Sequence, residues 1–90
     1  MTVAHPKRAL VTGAARRLGR AMALSLAERG HDVAIHYAGS AEEAEQTAQQ
    51  VRALGRSAVT LQADLLDEAQ TEALVPRAAE GLGGPLTVLV

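Results

Sequence analysis

Short apolar runs alternate with longer stretches whose apolar positions recur at helical spacing, and the alternation continues from one end of the chain to the other. Arg8-Ala-Leu-Val-Thr12 reads as a first strand, apolar enough to be buried on both faces; Pro6 suits its entry. Gly13 breaks the run. From about Arg17 to Arg29 the apolar positions Leu18, Met22, Leu24 and Leu26, with the alanines, favour a helix that ends with Gly30 as its C′ residue. Asp32 to Tyr37 is a second strand. Ser40-Ala-Glu-Glu43 has the form of a capping box, which opens a helix to about Leu54, before Gly55. Ser57 to Gln62 is a third strand. Asp67 to Gly81 is a third helical stretch, in which Pro76 removes the backbone bond to Glu72 and is expected to kink or split the helix. Gly83-Gly84-Pro85 is a loop, and Leu86 to Val90 is a fourth strand.

Strand and helix thus alternate three times and close on a strand. Such an order implies an α/β fold with parallel pairing and right-handed crossovers, the start of a doubly wound sheet. No internal repeat, low-complexity tract or linker divides the chain, so residues 1–90 read as one unit. Three helices over four buried strands leave much of one face uncovered, and the sequence stops inside an apolar strand. The expectation is the first part of a larger domain.

Composition narrows the chemistry. The chain has 90 residues, 48% of them hydrophobic, and a formal charge of −1, which gives no general attraction to nucleic acid or anionic lipid. Without cysteine there is no disulfide framework, thiolate metal site or thiol nucleophile. Phe and Trp are absent, which disfavours stacking on single-stranded nucleic acid. No segment has the length of a signal-peptide core or a membrane span, so a cytoplasmic location is expected. Tyr37 is the one tyrosine and Lys7 the one lysine. Chemistry that needs a tyrosine and a lysine a few residues apart is therefore beyond this chain. His5 and His31 read as exposed and carry no role.

The segment Val11 to Arg20 holds the most chemistry. Gly13 can make a tight turn out of the first strand, and Gly19 lets a helix or a phosphate approach the backbone. A helix N-terminus there offers free N–H groups and a positive dipole end, and Arg16 and Arg17 add charge-assisted donors. The plain alternative is a strand-to-helix loop with solvated arginines; the strand before and helix after favour phosphate binding. Two other phosphate motifs fail on spacing. The G-x-x-x-x-G-K-[ST] loop needs four residues between its glycines and then lysine, and G-x-G-x-x-G needs a glycine where Ala15 stands. A phosphoacceptor role for Asp64, as in signal receivers, lacks the acidic partners that would have to follow the first strand.

The second strand ends in Ile35-His36-Tyr37-Ala38-Gly39-Ser40, with no acid before Glu42. A dinucleotide site that selects NAD places a carboxylate there on the ribose hydroxyl; its absence removes the repulsion of a 2′-phosphate and favours NADP(H). Arg17 offers a cation, Ser40 a hydroxyl, and His36 a donor, unless it is a strand histidine facing a polar groove. Ser40 also serves as a plain N-cap, and Tyr37 packs or lines the nucleotide edge. Asp64 and Leu65 fall just past the third strand, where a carboxylate can accept from the adenine amine and a leucine can cover the ring. The other role for Asp64 is capping the next helix, for which Asp67 is better placed.

These residues, Thr12 to Gly19, His36-Tyr37, Ser40-Ala41-Glu42 and Ala63-Asp64-Leu65, resemble the short-chain dehydrogenase/reductases, and among them the pteridine-reductase branch. The likeness runs through essentially the whole chain. It implies a Rossmann-type sheet, of which this is the NADP(H)-binding amino-terminal half. In the family turn T-G-x-x-x-G-x-G, Arg17 stands where the middle glycine normally lies, a departure that branch shares. The resemblance implies Arg17 and Ser40 as phosphate ligands, Leu18 as a backbone contact, and Asp64 with Leu65 at the adenine. Ala38 and Gly39 do not match the basic residues the branch carries there, which implies a weaker hold on the 2′-phosphate. The cofactor-binding set is then Gly13, Arg16, Arg17, Leu18, Gly19, His36, Tyr37, Ser40, Asp64 and Leu65, with no catalytic or metal-binding residue. The family's Tyr-x-x-x-Lys pair lies beyond this chain. The implied activity is NADPH-dependent hydride transfer to a carbonyl or pterin-like C=N in a small-molecule substrate, by a homotetramer or homodimer. A non-catalytic dinucleotide-binding module is the alternative.

Overall fold

The structure, a computed structural model, describes residues 7–13 and 17–90. The readings made for His5, Pro6 and Arg16 lie outside them. The elements run β1 (Lys7–Val11), α1 (Arg17–Glu28), β2 (His31–Tyr37), α2 (Ala41–Ala53), β3 (Ala58–Gln62), α3 (Glu68–Leu82) and β4 (Val88–Leu89). The strands form one sheet in the order β3-β2-β1-β4, and every pair is parallel. This is the parallel, Rossmann-type strand order of a doubly wound α/β sheet, as the alternation of elements predicts.

The apolar runs become buried strands because both faces of the sheet are covered. Side chains two apart along a strand share a face. Val11, Val33 and Ile35 turn to one side, where Ala23 and Ala27 of α1 and Ala44, Ala48 and Val51 of α2 pack on them. Leu10, Ala34 and Leu61 turn to the other, against Leu74, Ala78 and Leu82 of α3. Small alanines on α1 and α2 let these helices lie close to the sheet. On the α3 side the larger leucines fill the space.

Four local expectations are corrected. Pro76 sits inside α3 and does not split it: one helix runs from Glu68 to Leu82. Leu74, Ala78 and Leu82 hold it to the sheet on both sides of the proline, while Pro76 itself is exposed. Packing outweighs the roughly 3 kcal/mol that an interior proline costs. Ser40 does not close a capping box: with φ −113° and ψ 79° its side chain makes no capping bond, and Ala44 N–H reaches the Ser40 carbonyl instead. The fourth strand is formally two residues long, although its ladder bonds continue from Thr87 N–H to Arg8 O and from Thr12 N–H to Val90 O. His31, expected to be exposed, is buried, with Nδ1 3.1 Å from the Leu26 carbonyl.

Candidate functional site

Parallel strands bring their carboxyl ends to one edge of the sheet, and the loops that follow them meet there. At that edge lies a cleft of about 510 Å³. Thr12 and Gly13 line it beyond β1, His36 to Ser40 at the end of β2, and Leu65 beyond β3. The in-register pairing of β1 with β2 and of β2 with β3 sets the three segments side by side.

Gly13 makes the turn out of β1 with φ +65°, a left-handed conformation that costs a residue with a Cβ about 1–2 kcal/mol. A Cβ built there would meet no atom within 4 Å, so the demand for glycine is conformational rather than steric. α1 follows, with Arg17 and Leu18 exposed in its first turn and Gly19 half-buried. Arg20, one residue on, donates from Nε to the buried Thr47 hydroxyl at 3.0 Å, and Thr47 in turn donates to Glu43 O at 3.2 Å. That pair joins the first turn of α1 to the middle of α2.

His36 departs from its expected role. It is buried at 2% exposure, and both ring nitrogens are engaged: Gly13 N–H donates to Nδ1 at 3.0 Å, and Nε2 lies 2.9 Å from Ala63 O. An amide N–H can only donate and a carbonyl can only accept, so Nδ1 is bare and Nε2 carries the proton. The imidazole therefore has no donor to spare for a ligand. The Gly13 N–H is likewise taken, leaving that residue to shape the turn rather than to donate.

Tyr37 packs on the α1–α2 side of the core. Ser40, freed from capping, presents its hydroxyl at the cleft wall. Leu65 is about half exposed there. Asp64 is exposed, with Oδ1 accepting from Leu66 N–H at 2.9 Å. Asp67 is the cap of α3, accepting from Gln70 N–H at 3.1 Å, which settles the choice between the two aspartates. The cleft thus gathers Gly13, His36, Tyr37, Ser40 and Leu65. Arg17, Leu18, Gly19 and Asp64 sit on the adjoining turns outside its described lining.

Two residues escape sequence reasoning. Thr12 lines the cleft and holds β4 by donating from Oγ1 to Val90 O at 2.9 Å. Gln62 braces the cleft wall, donating from Nε2 to Ala38 O at 2.9 Å. Its signal is modest: a polar residue ends a strand of apolar ones, in register with Tyr37.

Among the described residues the lining contains no carboxylate. Its donors and shape, a glycine turn, a serine hydroxyl and an apolar leucine, suit a phosphate-bearing ligand with a flat apolar end. Lys7 and Tyr37 stand at opposite ends of the sheet. Lys7 pairs with His31, six residues before Tyr37, a separation of about 20 Å along the strand. They form no acid–base pair.

A family profile described as short chain dehydrogenase matches residues 7–90. The 3-oxoacyl-(acyl-carrier-protein) reductase FabG of Staphylococcus aureus is 43% identical over 84 residues, which are 93% of this chain and 34% of that protein. A short chain dehydrogenase of Burkholderia cenocepacia, solved in complex with NADP, superposes with a TM-score of 0.87 at 48% identity, over 92% of this chain and 34% of its own. The FolM alternative dihydrofolate reductase 1 of Brucella canis, also complexed with NADP, gives 0.81 at 40% identity, over 92% and 32%. The chain spans about a third of the length of the curated relatives it matches.

Proposed function

The chain belongs to the short-chain dehydrogenase family, and from that premise we propose that it is the NADPH-holding amino-terminal portion of an oxidoreductase. The observation that carries the reading is the cleft itself, which joins the ends of three parallel strands and has no carboxylate among the described residues of its wall. An acid at the end of β2 would repel a 2′-phosphate; here Ala38 and Gly39 leave room and Ser40 offers an uncommitted hydroxyl. Arg17, at the first turn of α1, supplies a cation for the phosphates, and the helix dipole adds to it. Leu65 covers the adenine, with Asp64 beside it to accept from the exocyclic amine. Bound NADPH supplies a hydride at its nicotinamide end. What this chain's residues do is hold and orient the cofactor, since Lys7 and Tyr37 cannot serve as a proton-transfer pair.

Two reducible groups fit: a carbonyl, supported by the FabG relative, or a pterin-like C=N, supported by the FolM relative. Among the described residues no helix is long and apolar enough to cross a membrane. We place the enzyme in the cytoplasm, as a homodimer or homotetramer. The test is fluorescence titration of the full-length protein with NADPH and NADH, followed by NADPH oxidation with a ketone and with a dihydropterin. Preferential NADPH binding with turnover of either supports the reading. Binding without turnover of any carbonyl or imine makes the protein a dinucleotide-binding module, and absence of NADPH binding overturns the proposal.

A further inference from the structure

We infer that His36 is a positioning residue that fixes the dinucleotide site as one unit through a single imidazole tautomer. The inference rests on the NADPH reading above for its consequence, though not for its geometry. The three segments that wall the cleft come from three different strands, and each ends in irregular backbone just beyond its last ladder bond. His36 belongs to the middle one. Its Nδ1 accepts from Gly13 N–H beyond β1, and its Nε2–H donates to Ala63 O beyond β3. One ring therefore ties the glycine turn, the end of β2 and the approach to Asp64 and Leu65 into a fixed spacing. The turn needs that restraint. Gly13 has φ +65°, and with no Cβ it is the residue most free to leave that conformation.

The two ring nitrogens can be separated experimentally, because an asparagine amide reaches about where Nδ1 lies and a glutamine amide about where Nε2 lies. His36→Asn keeps an acceptor for Gly13 N–H and loses the bond to Ala63. His36→Gln keeps the donor to Ala63 O and releases the turn. His36→Leu loses both. If the role is positioning, each lost bond loosens the site: His36→Asn, which still holds the turn, raises the NADPH dissociation constant about twofold, while His36→Gln and His36→Leu, which release it, raise it about fivefold, one hydrogen bond's worth. A merely structural role predicts that the Asn and Gln variants lose melting temperature and NADPH affinity together and equally. That result would overturn the inference. Should His36→Leu not fold, the Asn and Gln pair carries the comparison.

Two further readouts need no cofactor. Imidazole ¹⁵N–¹H correlation in the full-length protein should show the Nε2–H tautomer, and hydrogen exchange at the Gly13 amide should be slow in the wild type and His36→Asn and fast in His36→Gln. An Nδ1–H tautomer, or Gly13 exchange indifferent to residue 36, refutes the restraint. A wild type that does not bind NADPH refutes the cofactor reading, while these two measurements still decide what His36 does to the turn.

Discussion

Replacing Ala38 by aspartate puts a carboxylate into a cleft wall that has none among its described residues. The backbone there is held, since Gln62 Nε2 donates to Ala38 O at 2.9 Å, so the new group has a defined origin. It stands two residues from Ser40, which places its charge about 6 Å from a 2′-phosphate resting on that hydroxyl. Ala38 is exposed, so a dielectric well above that of a protein interior applies. With a phosphate charge of −1.5 to −2 and an effective dielectric of about 40–80, the repulsion is about 1–3 kcal/mol. NADPH binding should weaken by about fivefold to a hundredfold, while NADH gains an acceptor for its ribose hydroxyl, worth about 1 kcal/mol. The assay is paired titration of both cofactors by nicotinamide fluorescence, at low and at high salt. The electrostatic part should shrink as salt rises. Ala38→Asn is the control, equal in size and uncharged. An unchanged NADPH-to-NADH ratio in Ala38→Asp, or the same shift in Ala38→Asn, refutes the argument.

Arg17→Ala should raise the NADPH dissociation constant about tenfold through lost charge-assisted bonding, with an unchanged melting temperature because the side chain is exposed; calorimetric titration and thermal melts read the two separately. Gly13→Ala should destabilise by about 1–2 kcal/mol in urea denaturation, from φ +65° alone, whereas Gly39→Ala, with open space and no positive φ, should sit close to the wild type. Thr47→Val keeps the buried volume but removes the hydroxyl that accepts from Arg20 Nε and should cost about 1 kcal/mol; equal stability of variant and wild type would show that this bond carries nothing.

The sheet is legible in the sequence because each strand is a short apolar run closed by glycine or polar residues, and burial on both faces tolerates no other pattern. Helix ends are harder to read. Ser40-Ala-Glu-Glu43 and Asp67-Glu-Ala-Gln70 share the spacing of a capping box, and only in the second does the first residue's side chain cap the helix. There Gln70 N–H donates to Asp67 Oδ1, its Nε2 to Asp67 Oδ2, and its Oε1 accepts from Asp64 N–H. The difference lies in the chain before the cap. Asp67 has φ −92° and ψ 113°, extended as an N-cap requires, whereas Ser40 at ψ 79° is not, and its side chain makes no capping bond. A four-residue pattern does not contain that angle, which the preceding turn sets. Pro76 is misread for a related reason: its cost is local and visible, while the packing of Leu74, Ala78 and Leu82 that outweighs it is tertiary.

His36 shows what more could have been read. Alternation along β2 puts Val33 and Ile35 on one face and Ala34 and His36 on the other, among Leu10, Leu61 and Ala63. A polar ring on a doubly covered strand must have partners for both nitrogens, because leaving either unmet costs about 1–3 kcal/mol. Its neighbours in the sheet are apolar side chains, so only backbone is left to bond it. Backbone with spare N–H and C=O groups occurs just beyond a strand's last ladder bond. A histidine one residue from the end of a central parallel strand is thus directed to the loops after its two neighbours, one as donor and one as acceptor. Those are the loops that make the cleft, so the requirement that satisfies a buried imidazole also sets the width of the site beside it.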